Sequence, residues 1–241
     1  GLNLYDFAAR WHNPAFPAFT TPDPLAESYY PTSPYLYCGG DPINQIDPTG
    51  LDIYKLNLNG EIVDIIECTE YDQIQLVDND GNDRVDENGD PICLDMEYGS
   101  IEQQRTIQID SKETYDVYQV RGDDNGTKLF EFLSDNLCNH VDGIEFALIR
   151  TGEKGLSGLN FITTSHGVRE ERGASLLLRY QLRFFYYIRE HIHSHPINII
   201  PSMSDFCVAD YFNEYHYFKS FIPTYIYHVP TRTYHQYFSP N

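Results

Sequence analysis

The chain has 241 residues, which is room for one domain of moderate size, an appendage and a substantial hydrophobic core. Its formal net charge of −20 argues against nucleic acid as the main partner, because phosphate backbones require a basic surface. The same charge argues against an anionic membrane surface. No apolar run approaches the length that a bilayer requires, so we expect no membrane span.

The terminal sequence and the cysteines carry two further expectations. The first residues lack the basic and apolar stretches of a secretory signal, and we expect an internal piece of a longer polypeptide. Five widely spaced cysteines form no C-x-x-C pair and predict free thiols or at most a bridge or two. Cys207 follows Asp205 by two residues and is predicted to be buried filler rather than a metal ligand.

Residues 1–50 are interrupted so often by Pro, Gly and Asp that long helices are excluded. We expect short strands and turns with aromatic anchors. The run, which ends in Asp47-Pro48-Thr49-Gly50, resembles the close of the RHS-repeat-associated core of Rhs/YD-repeat proteins. There the core forms a shell, and a variable toxin domain follows the Asp-Pro-x-Gly motif. The resemblance implies that residues 51–241 are a polymorphic-toxin effector, secreted or delivered as part of a larger Rhs protein. It also implies a cut by Asp41 or Asp47, although Asp-Pro turns are the simpler interpretation.

Residues 51–126 form an acidic segment, since residues 51–128 contain 20 acidic and six basic side chains. Asn-Gly and Asp-Gly pairs separate short β-prone runs, so we predict a β-rich subdomain with a small antiparallel sheet. The runs are 62–66, 74–77 and 114–120. The two acidic loops at 78–81 and 86–90 do not match an EF-hand, because Leu76 and Arg84 occupy the first ligand position. Solvated turns are the prediction there.

Residues 127–140 carry Leu and Phe at helical spacing and predict an amphipathic helix. The next run, 143–149, predicts a strand with Glu145 in its middle. A lone carboxylate in an apolar strand is costly to bury, which marks Glu145 as the candidate catalytic carboxylate. The alternative is a carboxylate at a sheet edge, neutralised by Arg150 or Arg169. The rival catalytic carboxylates are Glu170, Glu171 and Glu190.

The last third of the chain predicts alternating strands and helices. We expect a strand at 161–166, a helix at 175–189, an extended segment at 191–195, a helix at 202–218 and a hairpin at 223–238. On the extended segment, His193 and His195 point to the same side because strand side chains alternate. Asp205 follows ten residues after His195, in the first turn of the next helix, where Ser202 or Ser204 can cap it. Two imidazoles and one carboxylate make a three-ligand set that leaves the fourth position of a metal free for water.

Three other histidines are alternatives to this set. His191 shares a face with His193 and His195, and it is either a substitute ligand or a residue that supports the ligands. His228 and His235, in the hairpin, are predicted to serve packing or the surface.

This stretch resembles the signature of the JAMM (JAB/MPN-type) zinc metalloproteases: a distant Glu, His-x-His-Pro and Ser-x-x-Asp. Here the pattern is carried by Glu145, by His193-Ser194-His195-Pro196 and by Ser202-Met203-Ser204-Asp205. Six residues separate His195 from Ser202, where the family usually has seven. The resemblance covers the last half of the chain. It implies an α+β fold in which residues 127–241 form a JAMM-like (cytidine-deaminase-like α/β/α) domain, with a mixed sheet flanked by helices.

The resemblance also implies the chemistry. Zn²⁺ would be held by His193, His195 and Asp205, Glu145 would move the protons, and Ser202 would donate a hydrogen bond to the oxyanion. The expected reaction is hydrolysis of peptide or isopeptide (ubiquitin-like) amide bonds in a protein or peptide of a target cell. A toxin of this class would have a cognate immunity protein.

Two alternative functions stay open at this point. One is a metal-free JAMM-like interaction or scaffold domain. The other is a nuclease toxin, against which the acidic charge speaks.

Overall fold

The computed structural model describes strands at 5–6, 11–13 and 18–19 and residues 52–67, 71–97, 99–108, 114–138, 143–167, 172–182, 186–215 and 221–238. The chain divides into two compact units, Gly1–Thr49 and Gly50–Asn241. In the first unit, β1 (Tyr5–Asp6), β2 (Trp11–Asn13) and β3 (Ala18–Phe19) pair antiparallel. These are short strands, as expected. The Asp47-Pro48-Thr49-Gly50 motif and Asp41 lie outside the described residues, so the RHS resemblance stays a prediction.

The acidic segment begins with a four-stranded sheet. Its strands are β4 (Asp52–Leu56), β5 (Ile62–Glu67), β6 (Asp72–Leu76) and β7 (Cys93–Met96), in the order β5-β4-β6-β7. The predicted antiparallel arrangement is wrong at one pair, because β4 and β6 run parallel. The β4–β5 hairpin places β5 at the outer edge, so β6 joins the other side of β4 in the same direction. The acidic loops are turns as predicted, in which the Asp78 and Asp86 carboxylates accept backbone N–H groups of their own turns.

A seven-stranded sheet forms the centre of the second unit. Its order is β14-β13-β12-β10-β11-β9-β8, and among these strands β12 and β13 form the parallel pair. The strands are β8 (Ile101–Gln108), β9 (Thr114–Arg121), β10 (Ala147–Thr151), β11 (Leu159–Thr164), β12 (Ile188–His195), β13 (Thr224–His228) and β14 (Thr233–Tyr237). The boundary expected after residue 126 falls inside the first helix, Asp123–Leu137. Because β8 and β9 precede it and β9 pairs with β11, the sheet extends across that boundary.

Helices cover both faces of this sheet. The helices are α1 (Asp123–Leu137), α2 (Gly173–Leu177), which continues as a π-helical turn at Leu178–Leu182, and α3 (Met203–Tyr215). Short 3₁₀ turns occupy Gly155–Ser157 and Val229–Thr231. One core packs α1 against Phe146 and Leu148, and the other packs α2 and α3 against Ala147 and Ile149. The fold is α+β, as the sequence predicted, and both the four-stranded and the seven-stranded sheet are mixed. No helix in the described ranges is both long enough and apolar enough to cross a membrane.

Two predicted elements differ from the structure. The strand expected at 143–149 begins only at Ala147, because side chains replace the ladder before it: Thr164 Oγ1 donates to the Glu145 carbonyl, and Phe146 N–H donates to Ser194 Oγ. The helix expected at 175–189 is wrong beyond its middle. Ile188 already pairs with Thr151 in β12, so long-range strand pairing prevails over local helical preference.

Candidate metal centre

The interior strand β12 carries the two histidines of the motif, together with His191, on one face. It lies between β10 and β13, and its alternation places His191, His193 and His195 together, all buried at 2%, 4% and 9% exposure. Ile192, on the opposite face, belongs to the core beneath α1. The predicted common face of the histidines is therefore confirmed.

Asp205 reaches the same place from the first turn of α3. Ser202 precedes the helix, and the two residues bond reciprocally: Ser202 N–H donates to Asp205 Oδ2 over 2.5 Å, and Asp205 N–H donates to Ser202 Oγ over 3.2 Å. This is a capping box with Asp in place of the usual Glu. It fixes the direction of the Asp205 carboxylate and gives Ser202 a positioning role.

The three predicted ligands converge on one point. His193 Nε2 and His195 Nε2 are 3.0 Å apart, Asp205 Oδ1 lies 3.2 Å from His193 Nε2, and Asp205 Oδ2 lies 3.4 Å from His195 Nε2. These atoms form a group that could hold a metal ion. A tetrahedral zinc ion with ligand distances of about 2.0–2.1 Å separates neighbouring ligand atoms by about 3.3 Å, so the donor set fits zinc in type and spacing.

The tautomer of His195 supports the same fit. Its Nδ1 lies 3.1 Å from the Asn198 carbonyl oxygen, which can only accept, so Nδ1 carries the proton. In the neutral ring Nε2 then presents a lone pair toward the Asp205 carboxylate. Two acceptors that face each other in a buried place require a cation between them, either a proton or a metal ion.

Burial and mutual charge set the pKa values of the ligands. Burial lowers the pKa of His193 despite its contact with Asp205. Burial also opposes protonation of His195, but its hydrogen bond to Asp205 and the charge of Glu145 raise its pKa overall. For Asp205 burial acts upward, yet the hydrogen bonds from both imidazoles hold the pKa well below its usual range. The carboxylate is therefore ionised at neutral pH and available to a cation.

Glu145 is buried at 6% exposure beside these ligands, just before β10. It lines a small cavity with His193 and Asp205, and a larger cleft with His195 and Asp205. Its carbonyl accepts the Thr164 hydroxyl, which holds the backbone in place. The structure thus places Glu145 beside the predicted ligands and just outside a strand, and its catalytic role stays a prediction.

Among the rival carboxylates, Glu190 lies away from the ligand group. Glu190 pairs with Arg150 over 2.9 Å, in a cavity of its own beside Tyr225 and Tyr234. Glu170, Glu171 and Arg169 lie outside the described residues. The Arg150 guanidinium is thus paired with Glu190, whereas the alternative interpretation assigned it to Glu145.

Neither His191 nor Cys207 belongs to the group of candidate metal ligands. His191 stacks on Phe212 with ring centroids 4.7 Å apart and contacts His193, and neither of its ring nitrogens has a hydrogen-bond partner within the described residues. Burial lowers its pKa to about 3, so it is neutral. The prediction of Cys207 as buried filler is wrong: it is exposed and lines the cleft, but stands outside the ligand group, where its helical offset from Asp205 turns it away.

Ser194 is a positioning residue that the sequence reasoning missed. It is completely buried, on the face of β12 opposite the histidines. Its N–H donates to the Phe146 carbonyl, its Oγ accepts the Phe146 N–H, both over 2.9 Å, and its hydroxyl donates to Cys138 Sγ. Ser194 thereby ties Glu145, the neighbour of Phe146, to the two histidines beside it. A polar residue at an inward position of a buried strand was the available signal.

Residues 118–209 match the family model of JAB-like toxin 1. The match spans β9 to the middle of α3 and contains Glu145, His193, His195 and Asp205. It supports a JAB-like toxin domain in this part of the chain. The chain has no significant match among the curated proteins or among the solved structures.

Proposed function

We propose that the second unit is a zinc-dependent hydrolase of amide bonds, either peptide or isopeptide, and the effector of an Rhs-type toxin. The observation that carries the proposal is the convergence of His193 Nε2, His195 Nε2 and the Asp205 carboxylate within 3.0–3.4 Å. The family match supports the toxin part. Delivery within a larger Rhs protein and protection of the producer by an immunity protein belong to the same proposal.

His193, His195 and Asp205 would hold the zinc ion, which would polarise a carbonyl group and lower the pKa of a bound water. Glu145, beside the ligands in the cleft, would accept a proton from the attacking water and pass one to the leaving nitrogen. Ser202 accepts the Asp205 N–H through Oγ, so its own hydroxyl proton stays available to donate to the oxyanion. Burial of Glu145 and both histidines strengthens these interactions by excluding water.

The first experiment measures the metal. Elemental analysis of the purified chain should find about one zinc, which three protein ligands would hold. His195→Ala should lose it because one ligand is gone. His235→Ala is the matched control: this histidine contacts Thr233 in β14, outside the ligand group, and its loss should leave the zinc in place. A chain purified without metal and unable to take up zinc would instead favour the scaffold function.

The second experiment measures cleavage of unstructured polypeptides and of ubiquitin chains, with and without a chelator. Glu145→Gln should retain zinc and lose at least about 100-fold in kcat, as expected when a general acid–base is removed. Cleavage that persists in Glu145→Gln would move the role to Glu170 or Glu171, since Glu190 is paired with Arg150 away from the ligands. Expression in target cells should arrest growth for the wild type but not for His195→Ala.

A further inference from the structure

The mouth of the cleft carries three apolar side chains that the fold leaves in water. Ile197, Ile200 and Met203 are 50%, 71% and 76% exposed. All three line the cleft of about 590 Å³ that contains His195 and Asp205. We call these three residues the apolar rim. Single exposed apolar side chains are ordinary, but several around one polar cleft mark a binding surface.

The loop that presents the rim is anchored to the metal ligands. The Asn198 carbonyl accepts the proton of His195 Nδ1 over 3.1 Å, and Asn198 Oδ1 accepts the Ile200 N–H over 2.9 Å. The Ile197 carbonyl lies 3.3 Å from His228 Nε2 at the end of β13. The loop therefore holds the apolar rim at a fixed position relative to His195. A substrate that covers the rim also lies over the three candidate metal ligands.

The apolar rim, rather than the charge of the cleft, decides which kind of side chain fits there. The cleft is lined by the carboxylates of Glu145 and Asp205 and also by the guanidinium of Arg172, so charge alone selects no substrate residue. An apolar residue of a substrate loses contact with water when it packs on the rim. A second copy of the chain is a poor occupant, because two chains of net charge −20 repel each other. The rim borders the reacting groups, which is where a substrate residue adjacent to the cleaved bond would lie.

We propose that the apolar rim selects polypeptide substrates with an apolar side chain next to the cleaved amide bond. This inference rests on the proposed function, which it makes more specific. A pocket of this kind discriminates by about 10- to 200-fold in kcat/KM between an apolar residue and a poorly fitting one.

The test uses quenched fluorescent peptides that share one scaffold and carry Leu, Ser, Asp or Lys on either side of the cleaved bond. Zinc-loaded wild type should prefer Leu over Asp by at least about 10-fold in kcat/KM. The double variant Ile200→Ser with Met203→Ser should reduce that preference to about 3-fold or less while it retains zinc. Leu156→Ser is the matched control, since Leu156 is 89% exposed at the far end of β10 and does not line the cleft.

Peptide binding separates this inference from the proposed function. The affinity of the same peptides for zinc-loaded Glu145→Gln is measured by fluorescence anisotropy, which requires no turnover. Equal affinity for Leu and Asp peptides, or a Leu preference that survives the double variant, would overturn the selective rim. If Leu-selective binding depends on the rim but wild type cleaves no peptide, the selective rim is supported and the proposed hydrolase activity is contradicted.

Discussion

Ser194→Ala is expected to weaken both the fold and the candidate site. The change leaves the buried Phe146 N–H without its partner, while the Ser194 N–H still bonds the Phe146 carbonyl. An unsatisfied buried N–H costs about 1–3 kcal/mol, and the lost bond to Cys138 adds little because sulfur is a weak acceptor. The free energy of unfolding should fall by that amount, and the Tm by about 2–4 °C for each kcal/mol in a unit of this size.

Urea unfolding followed by far-UV circular dichroism measures this change, and Ser134→Ala is the matched control. Ser134 is equally buried, but its Oγ has no hydrogen-bond partner within the described residues, so its removal should change stability by less than about 0.5 kcal/mol. Ser194→Ala should also lower kcat with zinc retained, since Phe146 positions Glu145. Equal stability of the two serine variants would refute the reasoning.

Three further predictions concern the metal, a charged pair and a helical glycine. Free zinc at about 100 times its Kd should add about 2.7 kcal/mol to the free energy of unfolding, seen as a rise in Tm that a chelator abolishes; an unchanged Tm would argue against the site. Burial lowers the pKa of His166, but the Asp116 carboxylate 3.2 Å away and the Asn59 carbonyl raise it overall. The stabilisation by protonated His166 beside Asp116 is therefore complete below about pH 6.5 and is lost as pH rises through the folded-state pKa. The urea midpoint should accordingly fall above about pH 6.5, and His166→Gln should make this pH dependence weaker. Gly126→Ala should lower the Tm although Ala favours helices, because the new Cβ would meet Asn160 Cβ at 2.7 Å; a higher Tm would show that Asn160 yields.

The sequence determined those features that depend on local period and capping. Because strand side chains alternate, the spacing of His193 and His195 fixed their common face before any partner strand was known. The sequence likewise predicted a serine cap for α3, for which the structure selects Ser202 over Ser204. The helical spacing of Leu129 and Leu133 predicted the buried side of α1.

Tertiary structure alone decided which distant segments meet. Asp205 reaches the histidines because α3 packs over the face of β12 that carries them. Glu145 reaches them because Ser194, in β12, bonds Phe146 just before β10 begins. The same long-range pairing ended the helix that local preference favoured before Ile188. Helix propensities differ by less than about 1 kcal/mol per residue for ordinary residues. Burying a large apolar side chain in a sheet that helices cover stabilises the fold by about 1.5–3 kcal/mol. Where helix propensity and strand pairing conflict, strand pairing therefore prevails.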